Sequence, residues 1–181
     1  IGHLNYVSRL DLLQLGTLSS IGHLNLVYTF PSSDKSEFSD ERDRRTHLII
    51  GEHSHLTNLH IVDCTDQVSI GRFTVIAGFR SNILTHSPNF ENGAQRVSSV
   101  EIGDFCFIGT NSTLLAGTKI NSKTIVAAGS IVTNDSANFC GIVGGVPAKV
   151  LKEAPNNLGY FNEKIRRSID TRYIAGLNHG K

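Results

Sequence analysis

The stretch IGDFCFIGTNSTLLAGTKINSKTIVAAGSIVTND, residues 102–135, decides the architecture. Aliphatic side chains stand at Ile102, Ile108, Leu114, Ile120, Val126 and Val132, one in every six positions without a slip. Four residues after each comes a small side chain: Cys106, Ser112, Thr118, Thr124, Ser130 and Ser136. A helix repeats near 3.6 residues and a lone strand at two. A six-residue period instead requires a solenoid in which each unit is one flat strand and its corner. Three units close a coil of 18 residues, which predicts that Ile102 stacks under Ile120, Ile108 under Val126 and Leu114 under Val132. The coils then lie about 4.8 Å apart, the ordinary strand spacing. The large residue fills a three-sided prism, the small one lets the wall turn, and Gly103 and Gly109 relieve the corners sterically.

Outward from this block the period persists with interruptions. In the first 28 residues Ile1-Gly2-His3-Leu4-Asn5 recurs as Ile21-Gly22-His23-Leu24-Asn25, and Val7, Leu15, Ile21 and Val27 fit the inward ladder. Residues 31–47 (PSSDKSEFSDERDRRTH) break the pattern and read as a charged, solvated surface loop, with a substrate-covering flap as the alternative. The ladder resumes through Ile50, Leu56, Val62, Ile70 and Ile76 and stops at His86. Residues 87–99 (SPNFENGAQRVSS) match no repeat and form a second excursion. The exit GIVGGVPAKVLKE, residues 141–153, is Gly-rich, with Pro147 placed to halt strand pairing. Leu158, Phe161, Ile165 and Ile169 then have helical spacing, predicting an amphipathic helix over 157–174. The organisation is thus an all-β solenoid over 1–153, with a helix and tail over 154–181.

Composition bounds the function. A chain of 181 residues suits one domain, and 39% hydrophobic content supports a core. No apolar run approaches a membrane span. A formal charge of +1 argues against a dedicated nucleic-acid binder. Cys64, Cys106 and Cys140 are far apart and odd in number, as expected of reduced structural thiols in a cytoplasmic protein, peripheral to the inner membrane at most. No secretory signal segment is visible. The chain opens on Ile1 without any methionine, which suggests that an upstream piece is missing.

The block at 102–135, the following GVPAKVLKE and the stretch IVDCTDQVSIGRFTVIAGFRSNILTH (61–86) resemble the hexapeptide-repeat acyltransferases. More narrowly they resemble the maltose/galactoside and polysaccharide O-acetyltransferase branch. The likeness covers roughly residues 48–153 well and the first 28 loosely. It is carried by a combination: the repeat, a histidine ahead of a protruding loop, A-G-S-I-V-T and G-V-P-A-K. The resemblance implies a left-handed parallel β-helix, a homotrimer, active sites in clefts between subunits, and acetyl-CoA as acyl donor to a carbohydrate acceptor such as a surface-polysaccharide precursor, without a metal.

His86 ends a regular segment at the mouth of an excursion, so it belongs at a rim. Its unperturbed pKa near 6.5 leaves neutral imidazole available at pH 7. A hydroxyl attacks a thioester only as a base removes its proton, and the resemblance gives that role to His86. The resemblance also places Thr110, Ala128 and Thr133 on a groove for coenzyme A, with Lys149 and Lys152 toward its phosphates. Lysine there replaces the arginine of the closely matched relatives and gives up bidentate geometry. Asn58, Asp63 and Arg80 precede His86 on neighbouring coils and are candidates for the acceptor pocket; Asp63 is also a candidate to orient His86. An asparagine that binds acceptor in the sugar acetyltransferases falls on Leu56, which weighs against a simple galactoside or maltose.

Two other classes compete. His53, His55 and His60 with His86 invite a zinc site, as in hexapeptide-fold carbonic anhydrases, but the isolated histidine follows the others here where it precedes them there. A non-catalytic scaffold would keep the repeat without needing His86. Among enzymes, an N-acetyltransferase for an amino sugar or antibiotic stays open.

Overall fold

The computed structural model describes residues 1–31, 33, 38, 41, 43–133 and 141–169. Ser136, Cys140 and positions 170–174 of the predicted helix lie outside the described residues.

Consecutive strands visit three parallel sheets in rotation. Sheet A stacks Tyr6–Val7, Leu26–Tyr28, Ile61–Asp63, Asn82–Ile83, Thr113–Leu114 and Ile131–Val132. Sheet B stacks Leu12–Leu15, His47–Ile50, Val68–Ile70, Val100–Ile102 and Lys119–Ile120. Sheet C runs from Ser20–Ile21 through His55–Asn58, Val75–Phe79, Phe107–Ile108 and Thr124–Val126 to Gly141–Gly145 and its antiparallel neighbour Ala148–Lys152. The register is the one the period demands: Ile102 pairs with Ile120, Ile108 with Val126 and Leu114 with Val132. These six residues are no more than 7% exposed and join Ile21, Val27, Ile50, Leu56, Val62, Ile70, Ile76 and Ile83 in one continuous core. Each such side chain contributes about 1.5–3 kcal/mol by leaving water. Val7, predicted to face inward, lies on the first rung and is exposed. The repeated pentapeptide stacks directly, since the Gly2 amide donates to the Ile21 carbonyl and Tyr6 pairs with Leu26.

The corners are built differently from the sequence expectation. Left-handed backbone is carried mainly by larger residues. Leu18, His53, Phe73, Phe105 and Lys123 turn the chain from sheet B to C, and Leu4, Leu24, Leu59, Arg80 and Asn111 turn it from C to A, with φ between 54° and 63°. Non-glycine residues rarely accept this conformation. Here the amides of Phe73, Phe105 and Lys123 each donate to the coil below, to Glu52, Arg72 and Asp104, so stacking offsets the local cost. Gly109 serves another need: a Cβ there would come within 2.5 Å of the Ala128 backbone in the next coil.

The small positions form polar columns. The His60 amide donates to Asn25 Oδ1, the Ser81 amide to His60 Nδ1 and the Ser112 amide to Ser81 Oγ. A buried side chain in each coil thereby satisfies the backbone of its neighbour, which is why the column is polar inside an apolar wall.

Both interruptions leave from one edge, where sheet A gives way to sheet B. The first separates Leu26–Tyr28 from His47–Ile50, and the second separates Asn82–Ile83 from Val100–Ile102. The second is an ordered antiparallel hairpin of His86–Pro88 with Gln95–Val97. His47, assigned to the first excursion from sequence, already belongs to sheet B. Pro147 marks the turn between two paired strands instead of ending pairing. Within the described residues the predicted C-terminal helix starts later than its apolar spacing suggested: Gly159–Phe161 forms a 3-10 turn and residues 163–169 are helical. Leu158 and Phe161 pack on Phe73 and Phe105, whereas Ile165 and Ile169 stay exposed. No described helix is long and apolar enough to cross a membrane.

Candidate active site

Asp63 ends its sheet A strand on the same edge from which the hairpin departs, and the coil register brings it beneath Thr85 and His86. Its carboxylate is wholly buried and saturated with donors. Oδ1 accepts from the Thr65 amide at 2.9 Å and the Thr65 hydroxyl at 2.6 Å. Oδ2 accepts from the Thr85 amide at 2.9 Å, the His86 amide at 3.1 Å and His86 Nδ1 at 2.6 Å. Burial alone would raise the Asp63 pKa, but the hydrogen bonds from His86, Thr65 and Thr85 outweigh it and hold the carboxyl below its ordinary range. The same bond to Asp63 raises the His86 pKa against the opposing effect of burial.

This arrangement decides the tautomer. A charged carboxylate accepts from Nδ1–H, so in neutral His86 the lone pair sits on Nε2, across the ring. Nε2 makes no hydrogen bond among the described residues. The side chain is 23% exposed, so the ring is neither sealed in the prism nor loose on the surface. Phe30 and Phe38 present edge-on contacts to it, with centroids 5.5 and 6.4 Å away. The group is a histidine held in one orientation, partly exposed, with a basic nitrogen that has no partner among the described residues and a raised affinity for a proton.

Of the two places considered for Asp63, this geometry matches the one beside His86, and a fully buried carboxylate already occupied by protein donors offers no surface to an acceptor pocket. The reading of residues 31–47 as solvated holds for Ser33, Asp43 and Arg45, which are exposed, and is corrected for Phe38, Arg44 and Thr46, which are buried. Phe38 is buried, Arg44 lies over its ring at 4.4 Å, and Arg44 donates to the carbonyls of Phe30, Pro31 and Thr65. Sequence reasoning missed Phe30, Phe38, Thr65 and Thr85 at this site. The available signal was an isolated Phe38 within a run of charge and serine.

The remaining candidates divide between two edges of the prism. Asn58 and Arg80 sit where sheet C passes to sheet A, both exposed, and Asn58 Oδ1 accepts from the His23 amide. Thr110 and Ala128 occupy this same edge in later coils, with the Thr110 carbonyl accepting from Gly129 N and its hydroxyl donating to Phe79 O. Thr133 follows Ile131–Val132 of sheet A and so shares the edge of His86. Lys149 and Lys152 are exposed on the outermost strand of sheet C. One chain thus brings together His86, Asp63 and the Thr133 edge, and separates them from the edge of Thr110, Ala128, Asn58 and Arg80.

The other histidines have assigned places. His53 stacks on Phe73 at 4.9 Å and contacts Arg167. His55 bonds the Ser20 hydroxyl. His60 is buried, its pKa pushed down to about 4 by desolvation, and its Nε2 lies 2.9 Å from Thr57 Oγ1. No group of three or more His, Cys, Asp or Glu among the described residues could hold a metal ion. Cys64 and Cys106 are buried free thiols whose pKa values burial raises, that of Cys106 to about 11.

No protein-family model matches the chain. It is 35% identical over 105 residues to "Putative acetyltransferase YvoF" of Bacillus subtilis, a match covering 58% of this chain and 56% of the relative. It is 46% identical over 57 residues to a 2,3,4,5-tetrahydropyridine-2,6-dicarboxylate N-acetyltransferase of Staphylococcus aureus, covering 32% of this chain and 23% of that protein. The chain therefore spans just over half of the first relative and under a quarter of the second. Among solved structures, the hexapeptide-repeat acetyltransferase VCA0836 of Vibrio cholerae superposes with a TM-score of 0.56 at 23% identity, over 77% of this chain and 73% of that one. The fold is that of a hexapeptide-repeat acetyltransferase. The Vibrio protein has also been solved with acetyl coenzyme A, in a form that superposes less closely, with a TM-score of 0.49 at 19% identity over 78% and 71% of the two chains.

Proposed function

We propose that the protein is an acetyl-CoA-dependent O-acetyltransferase of a carbohydrate, in the maltose/galactoside and polysaccharide branch, built as a left-handed parallel β-helix and working as a cytoplasmic homotrimer. The Asp63–His86 pair carries this reading. Asp63 fixes the Nδ1–H tautomer and leaves Nε2 free for a proton. An acceptor hydroxyl brought to Nε2 gives up its proton as its oxygen attacks the thioester carbonyl. The tetrahedral intermediate then collapses, the C–S bond breaks, and the proton on Nε2 passes to the departing thiolate. No covalent acyl-enzyme is needed. General-base assistance of this kind contributes about 10²–10⁴-fold.

Two observations support work by more than one copy. First, the Thr110/Ala128 groove and His86 lie on different edges, so a donor bound along Thr110 and Ala128, with its phosphates toward Lys149 and Lys152, meets an imidazole most directly if another subunit supplies it; Thr133, on the His86 edge, falls outside that groove in one chain. Asn58 and Arg80 would then border the same cleft. Second, the C-to-A edge exposes a column of apolar side chains, Leu4, Leu24, Leu59 and Phe79, flanked by Tyr6 and Ile61. Such a stripe on a soluble wall suits a surface covered by a second copy.

An N-acetyltransferase is the second reading, favoured by the named activity of the Staphylococcus relative; the same base would deprotonate an ammonium. The test measures thiol release from acetyl-CoA against nucleotide sugars, neutral oligosaccharides and amino sugars. Turnover is expected with a hydroxyl acceptor, and His86→Ala should lower it about 10²-fold or more while the trimer persists in sedimentation. Near-normal turnover by that variant overturns the mechanism. Absence of both thiol release and an acetyl-CoA-dependent thermal shift would favour the scaffold.

A further inference from the structure

The hairpin that begins at His86 has a second face. Directly opposed residues of an antiparallel pair project to the same side, and successive pairs alternate. His86 opposes Val97 and points toward Asp63 and the phenylalanines; Ser87 opposes Arg96 and takes the other side. There, Ser87, Arg96 and Ser98 meet Ala116 of the next coil around a cleft of about 310 Å³, which Val97 borders from between Arg96 and Ser98. Arg96 is exposed, and its Nε donates to Ser87 Oγ at 3.4 Å. No acidic side chain lines the cleft, and none among the described residues pairs with Arg96. The nearby Glu41 spends its Oε1 on the Val97 amide. Two other surface arginines are neutralised, Arg72 by Glu52, Asp104 and Glu163 and Arg167 by Glu52 and Glu163, whereas Arg9, Arg45 and Arg80 are exposed without an acidic partner among the described residues. Arg96 therefore offers a guanidinium with free donors, steadied by one hydroxyl and bordered by another, a single residue from the catalytic candidate.

We propose that Arg96, with Ser87 and Ser98, binds an oxyanion carried by the acceptor, a carboxylate or a phosphate, and so selects acidic over neutral sugars. The inference rests on the acetyltransferase reading for its role and on the cleft for its chemistry. Because Arg96 and His86 leave opposite faces of the ribbon, the charge sits on a substituent or sugar neighbouring the one that reacts. Guanidinium–oxyanion hydrogen bonds are charge-assisted and directional, and losing one set costs roughly tenfold to a hundredfold in binding. Thr133 shares this edge, so the phosphates of the acyl donor are the competing occupant.

The test has a binding arm and a kinetic arm. Glucuronate, glucose 1-phosphate and glucose are titrated calorimetrically into the full chain without acetyl-CoA. Either acidic sugar should bind more tightly than glucose, and which one does so identifies carboxylate or phosphate; Arg96→Gln should abolish the difference and Arg96→Lys restore it partly. In the kinetic arm, Arg96→Gln should lower the acidic-to-neutral ratio of kcat/KM about tenfold or more, through KM. Equal binding of all three sugars, an unchanged ratio, or a loss confined to the KM for acetyl-CoA overturns the proposal. Arg96-dependent binding of an acidic sugar without acetyl transfer to any acceptor would instead refute the enzymatic reading and leave the anion site standing.

Discussion

Coils 102–133 and coils 47–88 follow the same plan and differ at one edge. In the later block sheet A passes to sheet B through Leu115–Thr118 alone, between Thr113–Leu114 and Lys119–Ile120. In the earlier coils the same passage is two residues longer after Val62, eight steps to the core position Ile70 against six from Leu114 to Ile120, and after Asn82–Ile83 it holds the whole hairpin. The cores are alike, with Val62 and Ile83 as buried as Leu114 and Val132. What differs is the length of chain released at that edge and the polar residues it carries. The minimal passage gives a wall; the lengthened one gives a buried carboxylate, an oriented imidazole and a ribbon with two usable faces. The contrast teaches that the repeat supplies rigidity and the interruption supplies the groups of the candidate site, in keeping with sites held on rigid elements.

The largest effect should come from attacking what the two regions share. Ile108→Asp places a charge in the prism where Ile108 is fully buried and stacked between Ile76 and Val126. An unpaired buried carboxylate costs more than about 4 kcal/mol and should unfold the stack, read as loss of the β signal in circular dichroism. Wild-type melting by this variant would mean that the coils do not share one core.

The next effect should touch only the interrupted coils. Asp63→Asn keeps the shape but replaces one acceptor oxygen with an NH₂ that cannot accept from Nδ1–H. The tautomer is then no longer enforced, and turnover should fall about 10²-fold or more. Asp63 also holds the His86 pKa up, so the acid limb of kcat/KM should move to lower pH in the variant. A simple structural loss would lower activity without moving that limb, and a parallel melting curve keeps the two apart.

These two substitutions also separate what was legible in the sequence from what was not. Ile108 could be read directly, because a six-residue period fixes which side chains face inward and which coils stack. His86 was legible as an end of periodicity. Asp63 was visible only as a nearby acid: placing it under Thr85 and His86 requires the pairing of Val62 with Ile83, a step of 21 residues, and the 18-residue step of the strict block does not apply there. Phe30 and Phe38 were hidden for the same reason, since only the pairing of Leu26–Tyr28 with Ile61–Asp63 brings them to the histidine. The αL corners were invisible because most of the residues that adopt them, Leu, Phe, Arg and Lys among them, carry no turn signature, Asn111 being the exception; the coil below imposes the conformation.

The smallest expected effect sharpens the comparison within a single column. His60 stands where later coils have Ser81, Ser112 and Ser130, and unlike them it can take a proton. Its folded pKa is about 4 against an ordinary 6.5. Above pH 6.5 both folded and unfolded chains carry it neutral and stability is unaffected. Between 6.5 and about 4 the unfolded chain binds a proton that the folded chain refuses, so stability falls as pH falls, by on the order of 3 kcal/mol in total. Below that window both states are protonated and the loss stops. The other two shifted groups of the site act elsewhere. Asp63, with a lowered pKa, gives stability that is lost only as pH falls below the ordinary carboxylate range and through its folded value. His86, with a raised pKa, gives stability that is full below pH 6.5 and lost as pH rises through its folded value. Melting temperatures at pH 8, 6.5, 5 and 4 should therefore drop mainly over the last three in the native chain. His60→Asn preserves an acceptor for the Ser81 amide, as Asn25 does for the His60 amide one coil below, and removes the proton site. Its drop over the same interval should be distinctly smaller; an identical drop would place the acid sensitivity outside this column.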